Sequence, residues 1–218
     1  MSAERMTLPV IQPQGDRGLL VRFSDRLSEA ANVAAIGFAQ RAAAARLPGV
    51  EEVVPSLVSV LLRYAPADVE FERLAGEVRL LVSAPAGEVA PGRVCTVPVV
   101  FDGEDLGEVA ALLGMEHEAF VAAHCARPLR VLAIGFAPGF VYCGFHDERL
   151  HLPRRAAVRP LMPAGTVLFA AGQTAVTSTP VPTGWHVIGH TAFRNFDPMA
   201  LPPTQLGAGD RVHFEVAR

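Results

Sequence analysis

The sequence predicts an α+β chain in two units: a small sheet-and-helix layer over residues 1–82 and a β-rich barrel or sandwich over residues 93–218. Three observations carry this expectation. Strand-like and helix-like segments alternate through the first 82 residues, residues 83–92 (SAPAGEVAPG) are small and rich in proline and glycine, and helical periodicity disappears after Arg127. Half of the 218 residues are hydrophobic, enough apolar material for two cores.

Each element follows from local pattern. Gly18 to Phe23 (GLLVRF) suits a strand, and Ser28 to Ala45 is an alanine-rich helix with Ser28 placed to cap it. Pro48-Gly49 ends that helix. Val50 to Leu57 and Ser59 to Tyr64 are strands, and Phe71 to Val82 is a second helix, a β-α-β-β-α order. After the linker, Val94 to Phe101 is a strand, and Leu106 to Ala126 forms two short helices broken near Gly114. The remainder is short apolar runs (VLFAA, WHVIGH, RVHFEV) punctuated by glycine and proline.

Composition excludes several chemistries. Net charge is -3 and no basic run forms a face, which disfavours nucleic acid and anionic membranes. All 19 basic residues are arginine, so the chain has no P-loop lysine, no Schiff-base lysine and no biotinyl lysine. The apolar run 131–145 contains Pro138 and falls short of the roughly 18 residues that span a bilayer. The opening MSAERMTLPVIQPQGD lacks the apolar core of a secretory signal, making the cytoplasm the expected location. Cys95, Cys125 and Cys143 make no CxxC pair and are expected to be reduced thiols. GxxxxGK[ST], GxSxG, HExxH and GxGxxG do not occur. His186 and His190 stand four apart on a strand-like run, about 13 Å, too far for one ion, so no dedicated metal site is expected.

Four pieces remain as candidate site material: IGFAPGFVYCGFHD (134–147), LPRRAAVR (152–159), PAGTVLFAAGQT (163–174) and GWHVIGHT (184–191). Glycines beside Pro138 and Phe145 permit close backbone approaches. Arg154, Arg155 and Arg159 suit a fork for a carboxylate or phosphate, or a solvated turn. Gln173-Thr174 offers an amide and a hydroxyl at a strand end, or an ordinary β-turn. Trp185, the one tryptophan, fits core packing or a ligand wall.

Taken in order, GFAPGFVY, LPRR, PAG, GQT, GWHVIGHT, FDP (196–198) and GDRVHF (209–214) resemble the allophanate hydrolase subunit 1 family. GDRGLLVRF and LPGVEEVVPS extend the resemblance into the N-terminal half. That family includes B subunits of ATP-dependent 5-oxoprolinase, KipI-type inhibitors of sporulation kinases, and half of the carboxyltransferase region of urea carboxylase. This sequence departs from the family at Thr177 (tyrosine is usual), Thr183 (glycine), His190 (arginine of an IGRT-like run) and Val141 (often proline), and shortens a GPDL-like piece to GEDL (103–106).

The resemblance implies a ferredoxin-like first domain (1–82) and a cyclophilin-like β-barrel (93–218). It implies a subunit that opens the lactam of 5-oxoproline with ATP and magnesium, sharing its site with a homologous C-type subunit and an A-type subunit. An amide is a poor electrophile; phosphorylating its oxygen makes a leaving group that water can displace. Arg155 and Arg159 are then the expected anion donors. Gln173, Thr174, Gly139, Tyr142 and Trp185 are expected to line the substrate cleft, and His190 to serve as acid or base. The alternatives are a KipI-like inhibitor binding a sensor histidine kinase, or a subunit related to allophanate hydrolase or urea carboxylase. A chain that shares its site is expected to expose an apolar patch and self-associate when alone.

Overall fold

The computed structural model describes residues 9–84 and 92–217. The chain divides into two compact units, Met1–Ala90 and Pro91–Arg218. Of the expected linker, SAPAGEVAPG, residues 85–91 lie outside the described residues. Among the described residues no helix is long and apolar enough to cross a membrane.

In the first unit, β1 (Val10–Gln14) and β2 (Gly18–Arg22) form an antiparallel hairpin around a turn with Gly15 at φ +65°. Helix α1 (Glu29–Ala45) starts where Ser28 accepts the Ala31 N–H at 3.3 Å, as the capping rule requires. It ends with Arg46 in the left-handed region, followed by Pro48-Gly49. Next come β3 (Val50–Pro55), β4 (Ser59–Tyr64) and α2 (Phe71–Ser83). The sheet order is β1-β2-β4-β3, antiparallel throughout. Alternate residues Leu19, Val21, Val60, Leu62 and Tyr64 bury one face against Ala35, Phe38, Leu74 and Val78 of the helices.

This chain path differs from the βαββαβ path that a ferredoxin-like domain would follow. The edge place taken there by a strand after the second helix is filled here by β1, ahead of β2. Sequence pattern missed β1 because Pro13 interrupts it. An edge strand tolerates a proline, since one side of it needs no partner.

The second unit opens with β5 (Val94–Val99), α3 (Leu106–Leu112) and α4 (His117–Cys125). Then follow β6 (Leu129–Ile134), β7 (Val141–Gly144), a 3-10 turn (Glu148–Leu150) and β8 (Arg159–Met162). The chain continues through β9 (Thr166–Ala170), β10 (Gln173–Val176), β11 (Val181–Thr183), β12 (His186–His190) and β13 (Arg211–Val216). Seven strands make one curled sheet, β12-β9-β10-β7-β6-β13-β5, in which β13 and β5 run parallel. The sheet curls far enough that the segment after β5 meets β12. Val100 and His190 exchange two backbone bonds of 2.9 Å, and the Asp105 N–H reaches the Val187 carbonyl at 3.0 Å.

That seam depends on two glycines. A Cβ at Gly103 would run into the Val187 and Ile188 backbone, and one at Gly189 into the Val100 carbonyl. The inner face is filled by Val97, Val131, Cys143, Val167, Phe169, Ile188 and Phe214, with Val109 and Phe120 of the helices packed among them. The opposite face of β7, β10, β9 and β12 carries a second apolar cluster. Val181 of β11 belongs to it, and Met162 of β8 packs against it.

Candidate functional site

The outward row across four strands reads Tyr142, Ala175, Leu168, Val187, set by the register of β7, β10, β9 and β12. One step along, Gly144, Gln173 and Ala170 fall on the same face, because strand side chains alternate. Gly144, Ala170 and Ala175 are small and buried among larger neighbours. Tyr142 and Trp185 meet edge-on at 5.9 Å between centroids, Phe140 lies 4.7 Å from Tyr142, and the Arg154 guanidinium stands over the Trp185 ring at 5.6 Å. Trp185 is 6% exposed and its backbone N–H donates to Thr183 Oγ1 at 3.0 Å. The Tyr142 phenol is pushed up by burial, against the opposing pull of Arg154. All four candidate sequence pieces therefore meet on this face.

Arg155 and Arg159 do not join it as free anion donors. Arg159 donates twice to Asp105, at 2.7 and 2.8 Å, and its Nε lies 2.8 Å from Glu104. Arg155 donates to the same Asp105 at 2.7 Å and to Glu108 at 3.2 Å. The Asp105 carboxylate also accepts the Val187 N–H at 2.7 Å. Burial pushes its pKa up, but the bond from Arg159, the Val187 N–H and the charges of both arginines outweigh burial and hold it below the usual value. The two guanidiniums are committed to one buried carboxylate, and their chemistry is that of a structural clamp.

Thr174 points the other way, into the barrel. Its hydroxyl lies 2.8 Å from His124 Nε2 and 2.8 Å from His146 Nε2, and the two rings sit 4.8 Å apart. One hydroxyl proton serves one ring, so the other ring donates its own N–H to the oxygen. Both rings are held neutral. Burial, with the nearby His146, drives His124 well below its ordinary value; burial, then the Arg127 charge, pushes His146 down to about 4. His124 belongs to no sequence motif. It sits on α4 and reaches Thr174 only because that helix packs on the inner sheet face, so periodicity alone could not find it.

His190 and Gly139 lie elsewhere again. His190, three residues beyond Val187 on β12, is exposed and its Nδ1 meets Asp102 at 2.8 Å. Gly139 (φ +67°) packs close to Phe196 and Ser178, and its carbonyl accepts the Ser178 hydroxyl at 3.1 Å. Arg155 is engaged by Asp105, Gly139 by Ser178 and His190 by Asp102. Tyr142, Gln173 and Trp185 share the outer face, and the Arg154 guanidinium stands over Trp185.

Comparison with known proteins gives this arrangement its family. The pattern of the carboxyltransferase domain, subdomain C and D, matches residues 9–206. The chain belongs to that family. It is 34% identical over 223 residues to the B subunit of 5-oxoprolinase from Bacillus subtilis (strain 168), covering 94% of this chain and 91% of that one. It is 37% identical over 173 residues to the B subunit of 5-oxoprolinase from Escherichia coli O157:H7, covering 77% and 78%. Among solved structures, TTHA0988 superposes with a TM-score of 0.82 at 39% identity, over 93% of this chain but 40% of that longer one. Kluyveromyces lactis urea carboxylase superposes at 0.75 with 13% identity, over 96% of this chain and 22% of its own, a likeness of fold alone.

The acidic side chains beside this face, Glu104, Asp105 and Glu108, are engaged by Arg155 and Arg159. Among the described residues no three His, Cys, Asp or Glu side chains gather in one place. Asp105, the buried acid nearest the outer face, has its oxygens taken by two arginines and a backbone N–H. Nor are the thiols poised as nucleophiles: burial raises Cys143, and burial with the Glu215 charge pushes Cys125 up to about 11.

Proposed function

We propose that this chain is the B-type subunit of an ATP-dependent 5-oxoprolinase and works with a homologous C-type subunit and an A-type subunit. The observation that carries the reading is kinship along nearly the whole chain with 5-oxoprolinase B subunits, 34% identity over 91% of the B. subtilis protein. In this reading the first unit is ferredoxin-like with a relocated edge strand, the second is a cyclophilin-like barrel, and the complex is cytoplasmic. Nucleotide and magnesium are gripped mainly by groups outside this chain, because the carboxylates and arginines clustered around Asp105 are spent on one another. Its contribution is to hold and orient the lactam on the outer barrel face and to keep water from it. Exposed Phe136, Val158 and Leu161 suit a surface covered by a homologous subunit and, in the lone chain, by self-association.

The test is a 5-oxoproline-dependent ATPase assay on the folded lone chain, then with C-type and A-type partners added. Turnover is expected only in the mixture. Vigorous turnover by the lone chain sinks the shared-site reading, and no gain on mixing moves the assignment to a kinase inhibitor.

A further inference from the structure

The outer face holds polar groups that the fold leaves without partners. The Arg154 guanidinium lies over Trp185 but has no ion-pair or hydrogen-bond partner among the described residues, unlike its neighbours Arg155 and Arg159. The Tyr142 hydroxyl, within reach of the Arg154 charge, likewise has no hydrogen-bond partner among the described residues. On the floor, Gln173 is 5% exposed and its carboxamide oxygen is buried with nothing donating to it. Its side chain lies across Gly144, where even a Cβ would press on it at 3.3 Å.

A buried amide oxygen left unbonded is costly, so folded proteins keep such a group mainly where something else completes it. Two unpartnered donors and one unpartnered acceptor beside the Phe140–Tyr142–Trp185 cluster call for a ligand with the complementary order. That ligand has an anion at one end, a flat apolar body, and an N–H at the other. One guanidinium and one phenol match the single charge of a carboxylate; a phosphate dianion would need more positive charge than this face supplies. Aromatic walls shed water and so strengthen the charged bond.

We infer that this face is the binding subsite for a small planar amide bearing a carboxylate. Arg154 and the Tyr142 hydroxyl take the carboxylate, the Trp185 ring borders the body, and Gln173 accepts the amide N–H. The choice of 5-oxoproline as that amide rests on the function proposed above; the polarity of the subsite does not.

Trp185 is the one tryptophan, so its fluorescence in the purified chain reports this site directly. Four probes separate the possibilities: 5-oxo-L-proline, L-proline (no lactam), 2-pyrrolidinone (no carboxylate) and N-acetylglycine (an open amide with a carboxylate). Saturable change is expected with 5-oxo-L-proline, and binding about tenfold or more weaker with L-proline and 2-pyrrolidinone. Arg154→Gln should weaken 5-oxo-L-proline about tenfold and leave 2-pyrrolidinone unchanged. Its urea midpoint should match the parent, because Arg154 is exposed and has no ion-pair or hydrogen-bond partner among the described residues. Arg154-dependent binding of N-acetylglycine without binding of 5-oxo-L-proline keeps the subsite and removes the 5-oxoprolinase reading. If no probe gives a saturable, Arg154-dependent signal, the subsite is overturned, while turnover by the mixed subunits still decides the function separately.

Discussion

Arg159 meets Asp105 end-on, Nη1 on Oδ2 at 2.7 Å and Nη2 on Oδ1 at 2.8 Å. One carboxylate thus ties β8 to the segment that closes the barrel seam. Asp105→Asn keeps the size and removes the charge, leaving two partly buried guanidiniums with only the exposed Glu104 and Glu108 as acidic partners. The expected loss is about 3 kcal/mol, the cost of breaking one side of a buried pair, read as a lower urea midpoint. Arg155→Gln should likewise lower the midpoint, by about 1–2 kcal/mol, and leave KM for 5-oxoproline in the reconstituted complex unchanged. A raised KM at full stability would return Arg155 to the anion-donor role.

The histidine pair inside the barrel makes stability fall on the acid side. His146 titrates near 6.5 when unfolded and at about 4 when folded, and His124 is lowered too, so between those pH values the unfolded chain binds more protons. Stability is therefore full above about pH 6.5 and declines as pH falls toward 4, by roughly 3 kcal/mol from His146 alone. Asp105, whose folded pKa is depressed, adds to the loss only as pH falls through and below its ordinary value of 3.8. Urea midpoints measured from pH 7.5 to 4.5 check this. The slope should shrink in His146→Phe, which removes the group that takes up the proton.

How much of this was legible beforehand differs by element. Ser28, Pro48 and Gly49 marked the bounds of α1 because capping and termination are local. Gly114 likewise sits between α3 and α4, as its break signal indicated. The four site pieces were visible as Gly- and Pro-shaped stretches, and register brings Tyr142, Gln173 and Trp185 to one face. The roles of neighbouring arginines were not legible. Which of Arg154, Arg155 and Arg159 is free depends on Asp105, 50 residues from Arg155 in sequence, and on which way each side chain turns. His124 was invisible for the same reason, since its partner Thr174 is also 50 residues away.

The seam glycines make a sharper test of closure. Gly103→Ala and Gly189→Ala each press a methyl group into main chain that cannot move without opening the Val100–His190 pairing. Each should cost about 2 kcal/mol or more, read from thermal or urea unfolding. Gly76→Ala, with open space around it on α2, should be neutral or slightly stabilising by about 0.5–1 kcal/mol.

His190→Gln should leave kcat of the reconstituted complex within about twofold, since general acid–base roles are worth about a hundredfold or more. The motive is position: the ring is exposed, paired with Asp102, and three residues along β12 from the row that carries Tyr142. A hundredfold fall in kcat, with the pH profile losing a limb, would restore it to the reaction.

Strand β13, made after every other strand of the barrel, is the one inserted between β5 and β6. Its first residues bond across to Arg93, where Asp210 accepts the Arg93 N–H from 117 positions away. While a ribosome is still delivering residues 211–216, β5 has no neighbour and β6 shows an open edge, so the second unit waits half-built. The first unit, whose pairings all lie within residues 10–64, has no such wait. Synthesis therefore presents a finished sheet attached to an unfinished one, and that interval is when an unpaired edge can meet another nascent chain.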